Sequence, residues 1–194
     1  MKEFILDDER MYAFINIIAE STAKNPKISS TAKKQLIRVY GLFAQIFDHA
    51  IIPFLPRLFQ KMIKHVQEDQ EEYAMTFGTI AFHLLHERES EEREDTTDLA
   101  ISLYDYVYTK IHQNNRTISM GGSLWMAKLI QNTPNPILIK LCQNIVTETI
   151  EALNLSNFKG HHAVIEGLTS LILSIEKDFV PYAQQVLPVL IRIS

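Results

Sequence analysis

Apolar residues recur along this chain every three to four positions in nine successive stretches, and no two-residue alternation lasts longer than four residues. Met11, Phe14, Ile15 and Ile18 share one face and predict a first helix over residues 4–20. Residues 21–29 read as a turn, in which Pro26 prevents continuation. Ser29 or Ser30 is placed to cap a second helix carrying Leu36, Tyr40, Phe43 and Phe47. Pro53 and Pro56 open a third, where the first turn tolerates them, followed by Leu58, Phe59, Met62 and Val66. Beyond a polar turn at 67–71, Tyr73, Phe77, Ile80, Ala81, Leu84 and Leu85 mark a fourth helix. Ala100, Leu103, Tyr104, Val107 and Ile111 mark a fifth. The sixth, over 118–130, is apolar or small almost all the way round, so burial on several sides is expected. Pro134 and Pro136 break it, with Asn135 placed to cap a seventh helix and Pro136 at its first position. That helix carries one stripe of Ile137, Leu138, Leu141, Cys142, Ile145, Ile150 and Leu153. Val164, Leu168, Leu171, Ile172 and Ile175 give the eighth. A ninth begins near Pro181 and stays apolar to the end of the sequence.

The even-numbered helices carry a repeat. Gly41-x-x-Ala44, Gly78-x-x-Ala81, Leu124-x-x-Ala127 and Gly167-x-x-Ser170 hold the same place in helices two, four, six and eight. Their last residues are 37, 46 and 43 positions apart, which matches HEAT or armadillo units and exceeds ankyrin or tetratricopeptide periods. Small side chains there let a helix sandwiched between neighbours approach them at van der Waals distance. The expected fold is all-α: an α-solenoid of about four HEAT/armadillo-like hairpins, over residues 4–47, 51–87, 95–132 and 135–176, with a ninth helix over 181–194. All of it is read as one repeat domain.

The 194 residues are 46% apolar, enough to bury a substantial core. The formal charge of −4 comes from one stretch, residues 87–95 (ERESEERED), which holds six acids and two arginines. Elsewhere acids and bases balance. The run reads as a solvated acidic connector, and the balance argues against nucleic acid as a partner. A single cysteine excludes an internal disulfide framework and favours a reducing compartment. The N-terminal residues are too short and acidic for a signal peptide, and no apolar run reaching a membrane span is expected.

Candidate chemistry is sparse. His83 and His86 lie three apart on one helix, but a metal site also needs ligands converging from elsewhere. His161 and His162 are adjacent near a turn and point in different directions. Gly121-Gly122 follows no strand and precedes no Lys-Ser/Thr pair, so it is no phosphate loop. Of Tyr104, Tyr106 and Tyr108, the first and last share a face, and one of them belongs to the core. Cys142 reads as a core thiol. With no nucleophile–base pair, the expectation is no enzyme, no catalytic residue, no metal, no cofactor and no small-molecule substrate.

Residues 113–130 (QNNRTISMGGSLWMAKLI), the following NTPNPI, and residues 148–172 (ETIEALNLSNFKGHHAVIEGLTSLI) carry a resemblance. So, upstream, do IIPFLPRLFQKMIKHVQ and EEYAMTFGTIAFHLL. Over roughly residues 30–190 the chain resembles the N-terminal HEAT-repeat domain of the plant tortifolia/spiral microtubule-associated proteins. More loosely it resembles the TOG-like arrays of ciliary crescerin-type proteins. The resemblance implies a cytoplasmic, cytoskeletal scaffold whose partner is tubulin, the microtubule or a ciliary axoneme. It also implies that the turns within hairpins line up as a contact edge. Here those turns offer Lys24 and Lys27, then Asn115 and Arg116, then Asn157 and Lys159. Two departures stand out: the first turn lacks the tryptophan typical of tubulin-binding TOG domains, and residues 67–72 are acidic where Lys or Arg is expected.

A second contact surface is expected on the ninth helix, where Val186, Leu190 and Ile193 lie on an apolar face with no helix following. Two functional classes follow. One is a non-catalytic microtubule or axonemal scaffold. The other is a HEAT/armadillo adaptor that holds a peptide or protein partner in a concave groove. Neither requires a membrane.

Overall fold

The structure, a computed structural model, describes residues 8–22, 28–64, 70–86 and 96–193. Among them nine α-helices follow in order: α1 (Asp8–Thr22), α2 (Ser30–Phe47), α3 (Leu55–Lys64), α4 (Gln70–Leu85), α5 (Thr97–Ile111), α6 (Arg116–Gln131), α7 (Asn135–Leu153), α8 (His161–Ile175) and α9 (Ala183–Ile193). No strand occurs among the described residues. The fold is all-α, of the α-solenoid class, and its helices gather into two compact units that part between Leu84 and Leu85. The acidic run 87–95 lies outside the described residues.

In the first unit α1 and α3 pack together, and α2 packs on α1. Met11, Ile15, Ile37, Tyr40, Leu58, Met62, Phe77 and Ile80 are buried, one pair from each helix. The Tyr40 hydroxyl donates to the carbonyl of Ile15 at 3.4 Å. Phe59 of α3 meets Phe77 of α4, with ring centroids 5.0 Å apart. Gly41 fixes the approach of α2 to α4, because a Cβ there would sit 3.1 Å from Thr79 Cγ2. Ser29 caps α2 as expected, its Oγ accepting from the Ala32 N–H at 3.2 Å.

The second unit is two layers deep. Helices α5, α7 and α9 lie in one, each beside the next, and α6 lies against α8 in the other. This is the stacking of hairpin on hairpin that defines a solenoid. Gly167 of α8 stands over Ala127 of α6, where a Cβ would come within 3.2 Å of the Ala127 Cα. A polar strip crosses the same seam: Lys128 donates to Glu166 at 3.1 Å, and Gln131 donates to Glu166 and to Ser170. Trp125 on α6 is fully buried and stacks on Tyr106, and Tyr104 is buried with its hydroxyl 3.2 Å from that of Thr133. Cys142 is buried in α7, where burial first and Asp178 second push its thiol up to about 11.

The joints depart from expectation. Helix α2 ends at Asp48 with φ 51°, and α8 ends at Glu176 with φ 44°. Each of these residues donates its N–H back into its helix, to Ala44 and Ile172 respectively. A seven-residue 3₁₀ segment follows in both cases, Asp48–Phe54 and Glu176–Tyr182. Proline stands sixth in each (Pro53, Pro181), and a buried apolar residue stands fourth (Ile51, Phe179). Proline lacks the N–H that would carry an α-helix through the joint. Pro53 therefore lies inside the 3₁₀ segment and does not open α3, and Pro181 precedes α9 in the same way. Asn135 does not cap α7 but begins it; its Nδ2 donates to the Ser174 carbonyl at 2.8 Å and ties α7 to the end of α8.

By length and composition the run Ser30–Ile63 suffices to cross a membrane, contrary to the expectation of no such stretch. The 3₁₀ segment interrupts it, and Ile37, Tyr40, Phe43, Leu58 and Met62 pack into the unit's own core.

Candidate functional site

Two hairpin turns of the second unit enclose a cleft. The first begins where α5 ends: His112 closes the helix and the Gln113 N–H donates to Lys110 O at 3.2 Å. Asn115 then takes an extended conformation and caps α6, its Oδ1 accepting from the Thr117 and Ile118 N–H groups at 3.1 and 3.2 Å. That satisfies two of the N–H groups a helix start leaves open, and it leaves Arg116 as the first helical residue, exposed. The second turn begins after Leu153, with the Leu155 N–H on Ala152 O and the Phe158 N–H on Leu155 O. Asn157 has φ 58°, the left-handed conformation that asparagine accepts more readily than most residues. The reversal it makes sends Phe158 inward and leaves Lys159 exposed.

Gly160 seats the second turn against α6. A Cβ at this position would lie 2.2 Å from Ser123 Oγ and 2.5 Å from Phe158 Cζ, so only glycine fits. Gly122 does the same for the first turn, since a Cβ there would come 2.9 Å from the Ile111 N. Ser119 is buried between them and donates to Ile111 O at 2.6 Å.

The space so enclosed is about 530 Å³, with Ile111, Ser119 and Phe158 buried in its floor. Its rim is His112, Gln113, Asn114, Asn115 and Arg116 on one side, and Ser156, Asn157 and Lys159 on the other. Arg116 and Lys159 come from different turns, and no acidic side chain lines the cleft. His112 is held against Tyr108, with ring centroids 4.3 Å apart. What this arrangement offers chemically is positive charge and amide donors around an open hollow. Among the described residues no group of three His, Cys, Asp or Glu side chains is disposed to hold a metal.

Of the residues singled out from sequence, Asn115, Arg116, Asn157 and Lys159 line this one cleft. Lys24 and Lys27 lie outside the described residues. In the expected acidic turn, Glu72 is a buried residue of α4, not a turn residue; its carboxylate accepts from Arg38 of α2 at 2.5 Å. The α9 face requires correction. Val186 is 2% exposed, and Leu190 and Ile193 are half-buried, because this stripe is the one α9 turns inward as it packs beside α7. The outward apolar residues of α9 are Leu187 and Ile191, at 53% and 73% exposure. Ser119, Phe158 and Gly160 were not singled out beforehand. The signal for Gly160 was a glycine directly before an apolar helix, a position where a cap or a close approach is expected.

Two comparisons with known proteins bear on this chain. The family described as TORTIFOLIA1 N-terminal matches residues 2–193. TORTIFOLIA1-like protein 2 of Arabidopsis thaliana is 23% identical over 170 residues, 87% of this chain and 20% of that protein. The chain thus spans about a fifth of the length of this relative. Both units, with the cleft between the α5–α6 and α7–α8 turns, fall inside the family match, and the chain belongs to the TORTIFOLIA1 N-terminal family.

Proposed function

We propose that this chain is a non-catalytic helical-repeat scaffold that attaches to microtubules, with the cleft-bearing edge of its second unit as a contact. What supports the reading is family membership together with an edge where Arg116 and Lys159 flank a hollow containing no acid. A negatively charged lattice would be drawn to such an edge by several weak contacts, each worth about 1 kcal/mol or less when exposed. The proposal includes Lys24 and Lys27 as further cations of the chain for the same negatively charged partner. The resemblance to ciliary arrays extends the proposal to an axonemal lattice and a cytoskeletal location.

The test is co-sedimentation of the whole chain with polymerised microtubules. Binding is expected at low ionic strength, falling as salt rises toward a Debye length of about 8 Å. Charge reversal at Arg116 and Lys159 is expected to weaken it. Retention of full binding by that variant would sink the assignment of the edge.

A second reading keeps one observation of its own. Leu42 and Ile46 on α2, and Met75 and Phe82 on α4, are 45–67% exposed in the first unit. An adaptor that holds an apolar peptide along these helices would use them. Capture of soluble partners by the chain, lost on changing Ile46 and Met75 to Ser and unaffected by charge reversal at the cleft, would favour the adaptor.

A further inference from the structure

We propose that the cleft takes an extended segment rich in glutamate or aspartate, and not a face of a folded protein. The inference rests on the reading of this edge as a partner contact and specifies what enters it. Three observations carry it. The first is shape: buried Ile111, Ser119 and Phe158 lie beneath rims formed by two separate turns. A flat protein surface would touch the rims and leave the hollow of about 530 Å³ unfilled, whereas a single extended chain can enter it.

The second is charge. At two helix seams among the described residues a cation is answered by an acid, Arg38 by Glu72 and Lys128 by Glu166. Arg116 and Lys159 stand on opposite sides of the cleft with no acid among its lining residues. Two cations separated by a hollow suit carboxylates repeated along one chain, and arginine can take one of them through two parallel N–H donors. The third is the rim itself. Gln113, Asn114 and Asn157 are exposed carboxamides on the same two rims as the cations, able to donate to main-chain carbonyls of a chain lying there.

A fluorescently labelled hexaglutamate peptide, titrated with the full chain and followed by anisotropy, tests this. Saturable binding is expected, with a hexaglutamine peptide silent at the same concentrations. Arg116→Ala and Lys159→Ala should each weaken binding by about tenfold, and Lys177→Ala, an exposed cation away from the cleft, should leave it unchanged. Ser156→Trp fills the hollow from an exposed rim position while keeping both charges, and it should abolish binding. Equal affinity in Ser156→Trp would overturn the proposal. So would displacement of the peptide by inorganic phosphate, at constant ionic strength, more readily than by free hexaglutamate. If the peptide does not bind but charge reversal at Arg116 and Lys159 still weakens microtubule pelleting, the acidic segment is wrong and the edge contacts a folded lattice. If neither responds, the edge is no contact at all.

Discussion

Gly160 is the residue on which the cleft's second wall depends. Its missing side chain leaves room for Ser123 and Phe158, both closer than 3 Å to where a Cβ would be. Gly160→Ala is expected to cost about 1–3 kcal/mol, the usual penalty for forcing an atom into a packed seam. It should also weaken peptide capture, since the turn bearing Lys159 must shift. Urea denaturation measures the first effect and anisotropy the second; an unchanged midpoint would contradict the packing argument. Glu148 makes a different prediction. It is half-buried on α7, and burial, then Asp105, then Glu151, push its carboxyl up to about 7. The folded chain therefore keeps a proton that the unfolded chain releases at the ordinary value of 4.5. The stability linked to this group is complete below that value and is lost as pH rises through about 7. Glu148→Gln should flatten that fall and raise stability at pH 8 by on the order of 1 kcal/mol, a figure reduced for the group's partial exposure. Parallel pH profiles of thermal unfolding for the two proteins would show it.

At the scale of helices, the seams were legible in the sequence and the joints were not. Small residues at one spot of every second helix mark where backbones meet. Gly41 indeed lies against Thr79, and Gly167 against Ala127. Replacing Gly167 by Val should wedge α8 from α6 and destabilise by about 1–3 kcal/mol; a chemical-denaturation series with Gly41→Val, its counterpart in the first unit, would measure both. The joints escaped because DHAIIPF and EKDFVPY share an acid first, apolar residues fourth and fifth, a proline sixth and an aromatic ring seventh, and no glycine marks where either begins. A 3.6-residue template passes through such a stretch without registering that its first residue has positive φ. Glu176, with φ 44° and ψ −107°, holds a conformation costly for any residue with a Cβ. Glu176→Gly is therefore expected to stabilise the chain by about 1 kcal/mol, read as a rise in Tm; a fall in Tm would show that the glutamate side chain contributes more than the strain it causes.

For the molecule as a whole, the repeat carried part of the candidate site. Hairpins stacked in one sense bring successive turns to one edge, so Asn115, Arg116, Asn157 and Lys159 converge although some 40 positions separate the two turns. The floor was not visible in the same way, because Ser119 and Phe158 are ordinary helix and turn residues until their burial is known. The α9 face was misassigned for a related reason. A helix whose apolar residues spread over more than half its circumference, as in α9, does not declare from sequence which stripe meets its neighbour, and Val186 belongs to the inward one. On this proposal a charged edge, not a reaction centre, is what the fold presents to its partner. Co-sedimentation with microtubules at two salt concentrations, comparing the native chain with Arg116→Glu/Lys159→Glu of unchanged helicity, tests that most directly. The native chain should pellet at low salt and the variant should bind about tenfold more weakly, the difference narrowing as salt is raised. Equal pelleting of the two proteins, or none by either, would contradict it.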